Sequence, residues 1–363
     1  MTRVRPTVVE VDLDAIRHNV RALRPSGAEL MAVVKADAYG HGAVPVARAV
    51  LEAGASWLGV ALVEEGVALR EGGIRAPILV LSELPRGSEK DALASGLTPT
   101  VYSEEGVALV AEAAGAVGRR VGVHMKIDTG MHRLGLWPPQ RSGEVASRVA
   151  EAGLVLAGAW THLASAESDP ELTRRQLGVL LDAVEALPAR PPIVHAANSA
   201  ATILFPEAHL DLVRPGGAIF GLAAGPGLER GLRPALSWRS AVSFVKRLGP
   251  GERLSYGQHY RLRREATIAT VPVGYADGYP RALSSRADVL IGGRRCRVGG
   301  NVTMDHLLVD CGDLDVRAGD EVVLLGAQGE ERVTAEELAE LAGTIPYEIA
   351  TGISVRVPRE PIG

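Results

Sequence analysis

Lysine is scarce in this chain: of 39 basic side chains only four, at positions 35, 90, 126 and 246, are lysine. A lysine set inside an apolar run is therefore not routine surface charge. Cysteine is scarcer still. Cys296 and Cys311 form no metal-type spacing and no disulfide framework, which agrees with a reducing compartment. Aromatic residues make up only 4% of the chain and the net charge is −4 with no basic run, which argues against base stacking and phosphate-backbone tracking, and so against nucleic acid as a partner. No uninterrupted apolar stretch approaches membrane-spanning length. The opening MTRVRPTVVEVDL lacks the apolar segment of a signal peptide, so the expectation is a cytoplasmic protein with no membrane partner.

What the chain does have is an ordinary globular composition, 47% hydrophobic and 23% charged, in a length that suits two domains or one large α/β barrel with an appendage. After the β-branched stretch Thr7 to Val11, Asp12 or Asp14 can cap a helix whose apolar Ile16, Val20 and Leu23 recur at helical spacing. Strand and helix then alternate. Strands are expected at 30–34, 56–62, 77–81, 98–102, 121–127, 155–162, 192–196 and 209–214, with helices near 43–53, 64–71, 104–114, 143–152 and 171–187. Eight such units suggest a closed (β/α)8 barrel; an open doubly wound sheet is the alternative, but no GxGxxG follows an early strand to support it. Past Leu222 the stretch Ala223-Ala224-Gly225-Pro226-Gly227 reads as a linker. Beyond it come short β-branched segments at 241–245, 267–273, 289–292, 306–309 and 322–325, and one helix with Thr334 as N-cap and Glu337 at the capping-box position. The expected fold is α/β: a barrel over 1–230 followed by a smaller, mostly-β domain over 231–363.

Chemistry concentrates where barrel strands end, because the working face of such a barrel lies at the strands' carboxyl ends. Lys35 closes the apolar run Leu30-Met31-Ala32-Val33-Val34. Burial there would lower its pKa and leave a free amine able to attack a carbonyl; the plainer reading is a lysine snorkelling to solvent. His162 would close strand six, Asn198-Ser199 follow strand seven, and Arg214 would close strand eight, ahead of the Gly216-Gly217 turn. Alone, a Gly-Gly is commonly just a turn and a histidine a hydrogen-bonded core residue. Together, an imine-forming lysine and a glycine-and-serine phosphate cradle between strands seven and eight imply pyridoxal 5'-phosphate.

The motifs resemble those of the fold-type III pyridoxal-phosphate alanine racemases over nearly the whole chain. Val33-Val34-Lys35-Ala36-Asp37-Ala38-Tyr39-Gly40-His41-Gly42 is similar to that family's cofactor-lysine signature, which implies that Lys35 holds the cofactor and that Tyr39 contacts its phosphate. Lys126-Ile127-Asp128-Thr129-Gly130-Met131-His132-Arg133 resembles the loop whose arginine, here Arg133, meets the cofactor's ring oxygen and the substrate carboxylate; the lysine at the Lys126 position is carbamylated in several relatives. His195-Ala196-Ala197-Asn198-Ser199 and Val213-Arg214-Pro215-Gly216-Gly217 match the phosphate cradle and the arginine facing the pyridine nitrogen. In the β domain, Ser255-Tyr256-Gly257 matches the motif of the catalytic tyrosine and Met304-Asp305 a substrate-binding element. Both are donated across a homodimer interface in relatives. Without that motif Tyr256 would read as a packing tyrosine of the β domain.

The resemblance implies interconversion of L- and D-alanine by two bases, Lys35 for the D-enantiomer and the partner's Tyr256 for the L-enantiomer, supplying D-alanine for peptidoglycan. A free tyrosine ionises near ~10, so a chain from Tyr256 through His162 to Arg214 is expected to stabilise the phenolate. One departure stands out: relatives commonly read Ile-Ser-Tyr-Arg-Val-Pro-Arg where this chain has valine at Val355. Taking that tyrosine as a phosphate ligand, the expectation is weaker cofactor retention and room for larger substrates, so a broad-specificity alanine/serine racemase is the alternative. A barrel decarboxylase of basic amino acids would place an acidic residue at the pyridine nitrogen, where Arg214 stands here, and a non-catalytic cofactor carrier would have no use for Tyr256.

Overall fold

The structure, a computed structural model, describes residues 5–222, 225, 227–228 and 231–363. Of the expected linker, Ala223, Ala224 and Pro226 lie outside the described residues, as does the proposed boundary position 230.

The first strand, β1 (Val8–Asp12), runs into a helix at Leu13–Leu23, whose N-cap is Asp12: its carboxylate accepts from the Ala15 N–H at 2.8 Å. Eight parallel strands follow: β2 (Glu29–Val33), β3 (Trp57–Val60), β4 (Ile78–Val80), β5 (Thr100–Val101), β6 (Gly122–Lys126), β7 (Val155–Trp160), β8 (Ile193–His195) and β9 (Leu212–Val213). They pair in the orders β4-β3-β2-β9 and β5-β6-β7-β8. A parallel bridge between Leu79 and Thr98 joins one side of these two arcs. On the other side Asp211 N–H donates to Val194 O (3.1 Å) and Arg214 N–H to Ala197 O (2.8 Å). The sheet thus closes, and the open doubly wound alternative is excluded.

Two strands are shorter than expected. The segment 209–214 contributes only Leu212–Val213, because Leu210 takes a positive φ of 49° after a 3-10 turn at Pro206–Ala208. The segment 155–162 ends at Trp160, so His162 stands beyond the strand rather than closing it. Helices outside the barrel bury one face each; in Leu13–Leu23 the buried side chains are Ala15, Ile16, Asn19, Val20 and Leu23, at the spacing the sequence gives them.

The remaining strands are β10 (Leu236–Ala241), β11 (Phe244–Leu248), β12 (Arg253–Leu254), β13 (Tyr260–Arg261), β14 (Ala266–Val271), β15 (Asp288–Ile291), β16 (Arg294–Val298), β17 (Leu307–Asp310), β18 (Glu321–Gln328), β19 (Glu331–Val333) and β20 (Arg359–Ile362). One large sheet takes the order β11-β14-β17-β16-β15-β18-β10-β1-β20, with β19 paired to β18. β1 therefore belongs to this sheet, antiparallel to β10 and parallel to β20. The strand expected at 241–245 is instead a break between β10 and β11, where Val242 N–H turns to Asp320 O and Ser243 N–H to Thr270 O. Thr334 caps the helix Ala335–Ala342 through the Glu337 N–H (3.1 Å), but the Glu337 carboxylate is taken by Arg295 at 2.6 and 2.9 Å.

Candidate active site

Lys35 leaves β2 half-buried at the barrel mouth, and the four residues after it depart from ordinary backbone. Ala36, Asp37, Ala38 and Tyr39 have φ of 51°, 51°, 55° and 54°, one turn of left-handed helix. Such a turn costs about 1–2 kcal/mol per non-glycine residue, so its surroundings must over-determine it. They do. Asp37 accepts from the Ala43 N–H (2.7 Å), and Glu65 accepts from the N–H groups of Ala36 (2.6 Å), Ala61 (2.8 Å) and Leu62 (3.1 Å). From the C-terminal segment Arg359 donates to Gly40 O at 3.0 Å. Gly40 packs so closely on the helix Pro346–Gly352 that a Cβ there would sit 2.6 Å from Ala350 O.

The turn aims the Tyr39 ring at the loop after β9. Ser199 Oγ accepts from the N–H groups of Gly216 (2.9 Å) and Ala218 (3.3 Å), tying that loop to the helix Ser199–Leu204, which Asn198 caps. A side chain at Gly216 would overlap the Tyr39 phenol, and one at Gly217 would overlap the Tyr347 ring. Two phenols thus pack directly on two backbone positions that have room only for glycine. Burial raises the pKa of both phenols, that of Tyr347 to about 12, so each stays protonated and able to donate to an anion.

Burial lowers the pKa of Lys35, with the Arg133 charge adding to it and Glu65 opposing. Lys126, 3% exposed with its Nζ 4.6 Å over the Trp160 ring, is pushed down to about 8 by burial and then by Arg133 and Arg214. The His162 imidazole falls well below its ordinary value, first through burial and then through Arg214, Arg133, Lys126 and Lys35. Five of the expected site residues therefore feel one another's charge. The arrangement favours neutral imidazole and amine, as base chemistry requires.

Arg214 is held differently from the expectation. Its guanidinium donates to His195 Nδ1 (3.0 Å), Thr161 O (2.7 Å) and Ala196 O (3.0 Å), so its histidine partner among these bonds is His195, not His162. His195 Nε2 in turn meets His124 Nδ1 at 2.9 Å. An arginine can only donate, so His195 must accept at Nδ1 and carry its proton on Nε2; His124 must then accept at Nδ1 and carry its own on Nε2. Both imidazoles are neutral. Burial is also the main cause of their lowered pKa values, about 3 for His124, with Arg214 adding to it. Burial lowers Arg214 itself to about 9, which leaves it cationic at neutral pH.

The chain does not bring every expected residue to this mouth. Tyr256 and Met304 are 76% and 54% exposed on the β domain. Asn301 donates to Tyr256 O (2.7 Å), while the N–H groups of Tyr275 and Ala276 meet Thr303 O and Met304 O at 3.0 Å each. The Tyr256 and Met304 segments, with Tyr275 and Ala276, thus form one surface cluster on the β domain. Val355 is 99% exposed, and beside Tyr39 a second tyrosine, Tyr347, stands against the cradle. With a phenol supplied there by Tyr347, the broad-specificity alternative is less supported. The sequence reading also passed over His124, Tyr347 and Glu65. Strand alternation places His124 and Lys126 on one face of β6, a signal that was legible.

The hydroxyl-and-glycine cradle, the buried guanidinium and the partly desolvated lysine fit a phosphorylated carbonyl cofactor. On a closed parallel barrel joined to a β domain, they define the barrel class of pyridoxal-phosphate enzymes. Residues 11–224 match the family described as "Alanine racemase, N-terminal domain" and residues 235–361 "Alanine racemase, C-terminal domain". The alanine racemase of Symbiobacterium thermophilum is 52% identical over 98% of this chain and 97% of its own length. The crystal structure of alanine racemase from D-cycloserine-producing Streptomyces lavendulae superposes with a TM-score of 0.94 at 41% identity, over 100% of this chain and 98% of that one. A histidine racemase from Leuconostoc mesenteroides shares the fold at 27% identity and a TM-score of 0.93, covering 100% of this chain and 99% of its own. The chain belongs to the alanine racemase family, whose members are pyridoxal-phosphate-dependent isomerases.

Proposed function

We propose that this protein interconverts L- and D-alanine as a homodimer in the cytoplasm, supplying D-alanine for peptidoglycan, with a barrel domain at 1–230 and a β domain at 231–363. The observation that carries the reading is Lys35 itself, an amine with a lowered pKa held by a left-handed turn beside an anion cradle. Family membership narrows the substrate to alanine. No helix among the described residues is long and apolar enough to cross a membrane.

Bound pyridoxal phosphate supplies the carbonyl that takes up the amino acid and the electron sink that acidifies its Cα–H. Tyr39, Ser199, Gly216, Gly217 and Tyr347 would hold the phosphate, with Asn198 fixing the helix start behind it. Arg214 would face the pyridine nitrogen; as a donor it favours an unprotonated ring and a restrained sink. Lys35 Nζ takes or returns the proton on one face, and Tyr256 Oη of the partner subunit does so on the other, with His162 kept neutral beside them. Arg133 and the Met304 backbone of the partner subunit receive the substrate carboxylate. A carbamyl group on Lys126 would turn a buried cation into an anion able to hold Arg133. Support for the dimer comes from exposed apolar side chains on both surfaces, Leu134 (40%) and Trp137 (57%) near the mouth and Tyr256, Tyr275 and Met304 on the β domain.

The test is exchange of the alanine Cα proton in heavy water, followed by NMR from each enantiomer separately. Inversion from both, lost in Lys35→Ala and Tyr256→Phe, is the expected result. Mixing those two variants should restore about a quarter of wild-type activity, since each hybrid dimer regains one intact site. No recovery on mixing refutes the shared site, and carbon dioxide release in place of exchange refutes the racemase.

A further inference from the structure

Cys296 and Cys311 take no part in the site above, yet the fold sets the chain's only two cysteines face to face. In the antiparallel pair β16–β17, Arg297 stands opposite Asp310 and Val298 opposite Val309; one step along the same register, Cys296 stands opposite Cys311. Gly299 N–H donates to Leu308 O at 2.7 Å, so by ladder alternation the Val298/Val309 and Cys296/Cys311 pairs are of the non-hydrogen-bonded kind. Side chains approach most closely there. Such pairs hold their Cα atoms roughly 4.5 Å apart, within the range that a disulfide spans. Both sulfurs lie on the buried face with Val298 and Val309. A surface pocket lined by Tyr260, Arg264, Arg294 and the two cysteines opens to them.

We propose that Cys296 and Cys311 are an oxidation site, a thiol pair that a small-molecule disulfide converts into an intramolecular disulfide at the foot of the loop that carries Met304. Cys296 loses its proton to solvent, and its thiolate attacks one sulfur of the reagent, expelling a thiolate. The Cys311 sulfur, deprotonated in turn, attacks the Cys296 sulfur of the mixed disulfide and expels the second thiolate. Two electrons pass to the reagent and both protons end on the thiols released. The environment fits this order of attack. The facing Cys311 thiol and the nearby Arg294 charge lower the Cys296 thiol, while the facing Cys296 and burial raise Cys311.

The site matters for what it would fasten. β16 leads into the loop 299–306 and β17 out of it. In that loop Asn301 O accepts from Ser255 Oγ (2.6 Å), Asn301 Nδ2 holds Tyr256 O, and Met304 O holds the Ala276 N–H. A bond between Cys296 and Cys311 would staple the loop that aligns Tyr256 with Met304, a consequence that rests on the roles proposed above. The oxidation itself does not depend on them.

The holoenzyme is incubated with oxidised glutathione, freed of reagent, and examined by thiol titration in denaturant, intact mass and thermal melting. The expected product has no titratable thiol, is two hydrogens lighter than the starting protein with no added glutathione, and melts a few degrees higher, an increment that dithiothreitol abolishes. Cys296→Ser and Cys311→Ser should show no such increment. Both thiols remaining titratable, glutathione retained on one sulfur of the wild type, or a bond between two chains would each overturn the proposal. Closure of the disulfide with unchanged KM for alanine would leave the site standing and remove its proposed tie to Met304.

Discussion

At the scale of single residues, the site is organised by where cations are buried. Lys126 has its amine pushed down to about 8, chiefly by burial. A folded pKa below the unfolded value means that the unfolded chain binds more protons between about pH 8 and pH 10.4, so this group's penalty on stability is full below that window and fades as pH rises through it. The same shift exposes a free amine to carbon dioxide near neutrality. With carbon-13 bicarbonate, a carbamate signal should grow from about pH 7 to about pH 9 and be absent in Lys126→Ala, as read by NMR. His195 sets the counterpart at Arg214. His195→Leu leaves a buried guanidinium N–H without its acceptor, which should cost about 1–3 kcal/mol in urea unfolding, and His195→Gln, which keeps an acceptor, should recover part of it.

At the scale of elements, the left-handed turn is the costly piece, and its stability is borrowed from the C-terminal segment. Gly40 is the hinge of that dependence: its φ of 81° and its packing on Ala350 O leave no room for a Cβ. Gly40→Ala should destabilise by at least about 2 kcal/mol, combining left-handed strain with overpacking. Because the same turn aims Tyr39, cofactor affinity should fall together with stability, measured by equilibrium dialysis of pyridoxal phosphate. Full affinity in a destabilised variant would separate the turn from the cradle. The β6 strand carries a related lesson. Its inward residues His124 and Lys126 serve two different networks, one toward His195 and one toward Trp160.

At the scale of the whole molecule, the chain's first described residue binds one 272 positions away. Arg5 grips the fully buried Asp277 carboxylate with two bonds of 2.7 and 2.6 Å, and Arg356 stands 3.6 Å from the same group. Burial alone would raise the Asp277 pKa, but the bonds from Arg5 and the Gly274 N–H outweigh it and leave it lowered. The carboxylate therefore contributes stability above the unfolded value, near ~3.9, and that contribution is lost as pH falls through the lower folded value. Arg5→Ala should cost about 2 kcal/mol, less than for a fully buried pair because Arg5 is partly exposed and Arg356 remains. Its stability should also depend less on pH below about pH 4, as acid unfolding would show. Asp277 adjoins Ala276, whose N–H donates to Met304 O, so the variant's KM for alanine should rise with kcat less affected.

Much of this was written in the sequence, because it depends on local pattern. Alternating apolar runs and helical spacing specify eight barrel units, Thr334 announces its helix and the pair Asp12 and Asp14 the start of the first, and an isolated lysine at a strand end marks the mouth. These follow from neighbours a few residues apart. Only the tertiary structure decided which distant groups meet. β-branched residues at 241–245 suit a strand, yet hydrogen bonds to Asp320 and Thr270 break the ladder there. β1 falls within the expected barrel domain 1–230 and is claimed by β10 and β20, since a strand's pattern sets its faces and not its partner. Arg214 could satisfy its donors with any acceptor in reach, and the barrel's interior supplied His195. Nothing local marks Tyr347 as a neighbour of the phosphate cradle; the packing of the helix Pro346–Gly352 against Gly40 is what carries it there.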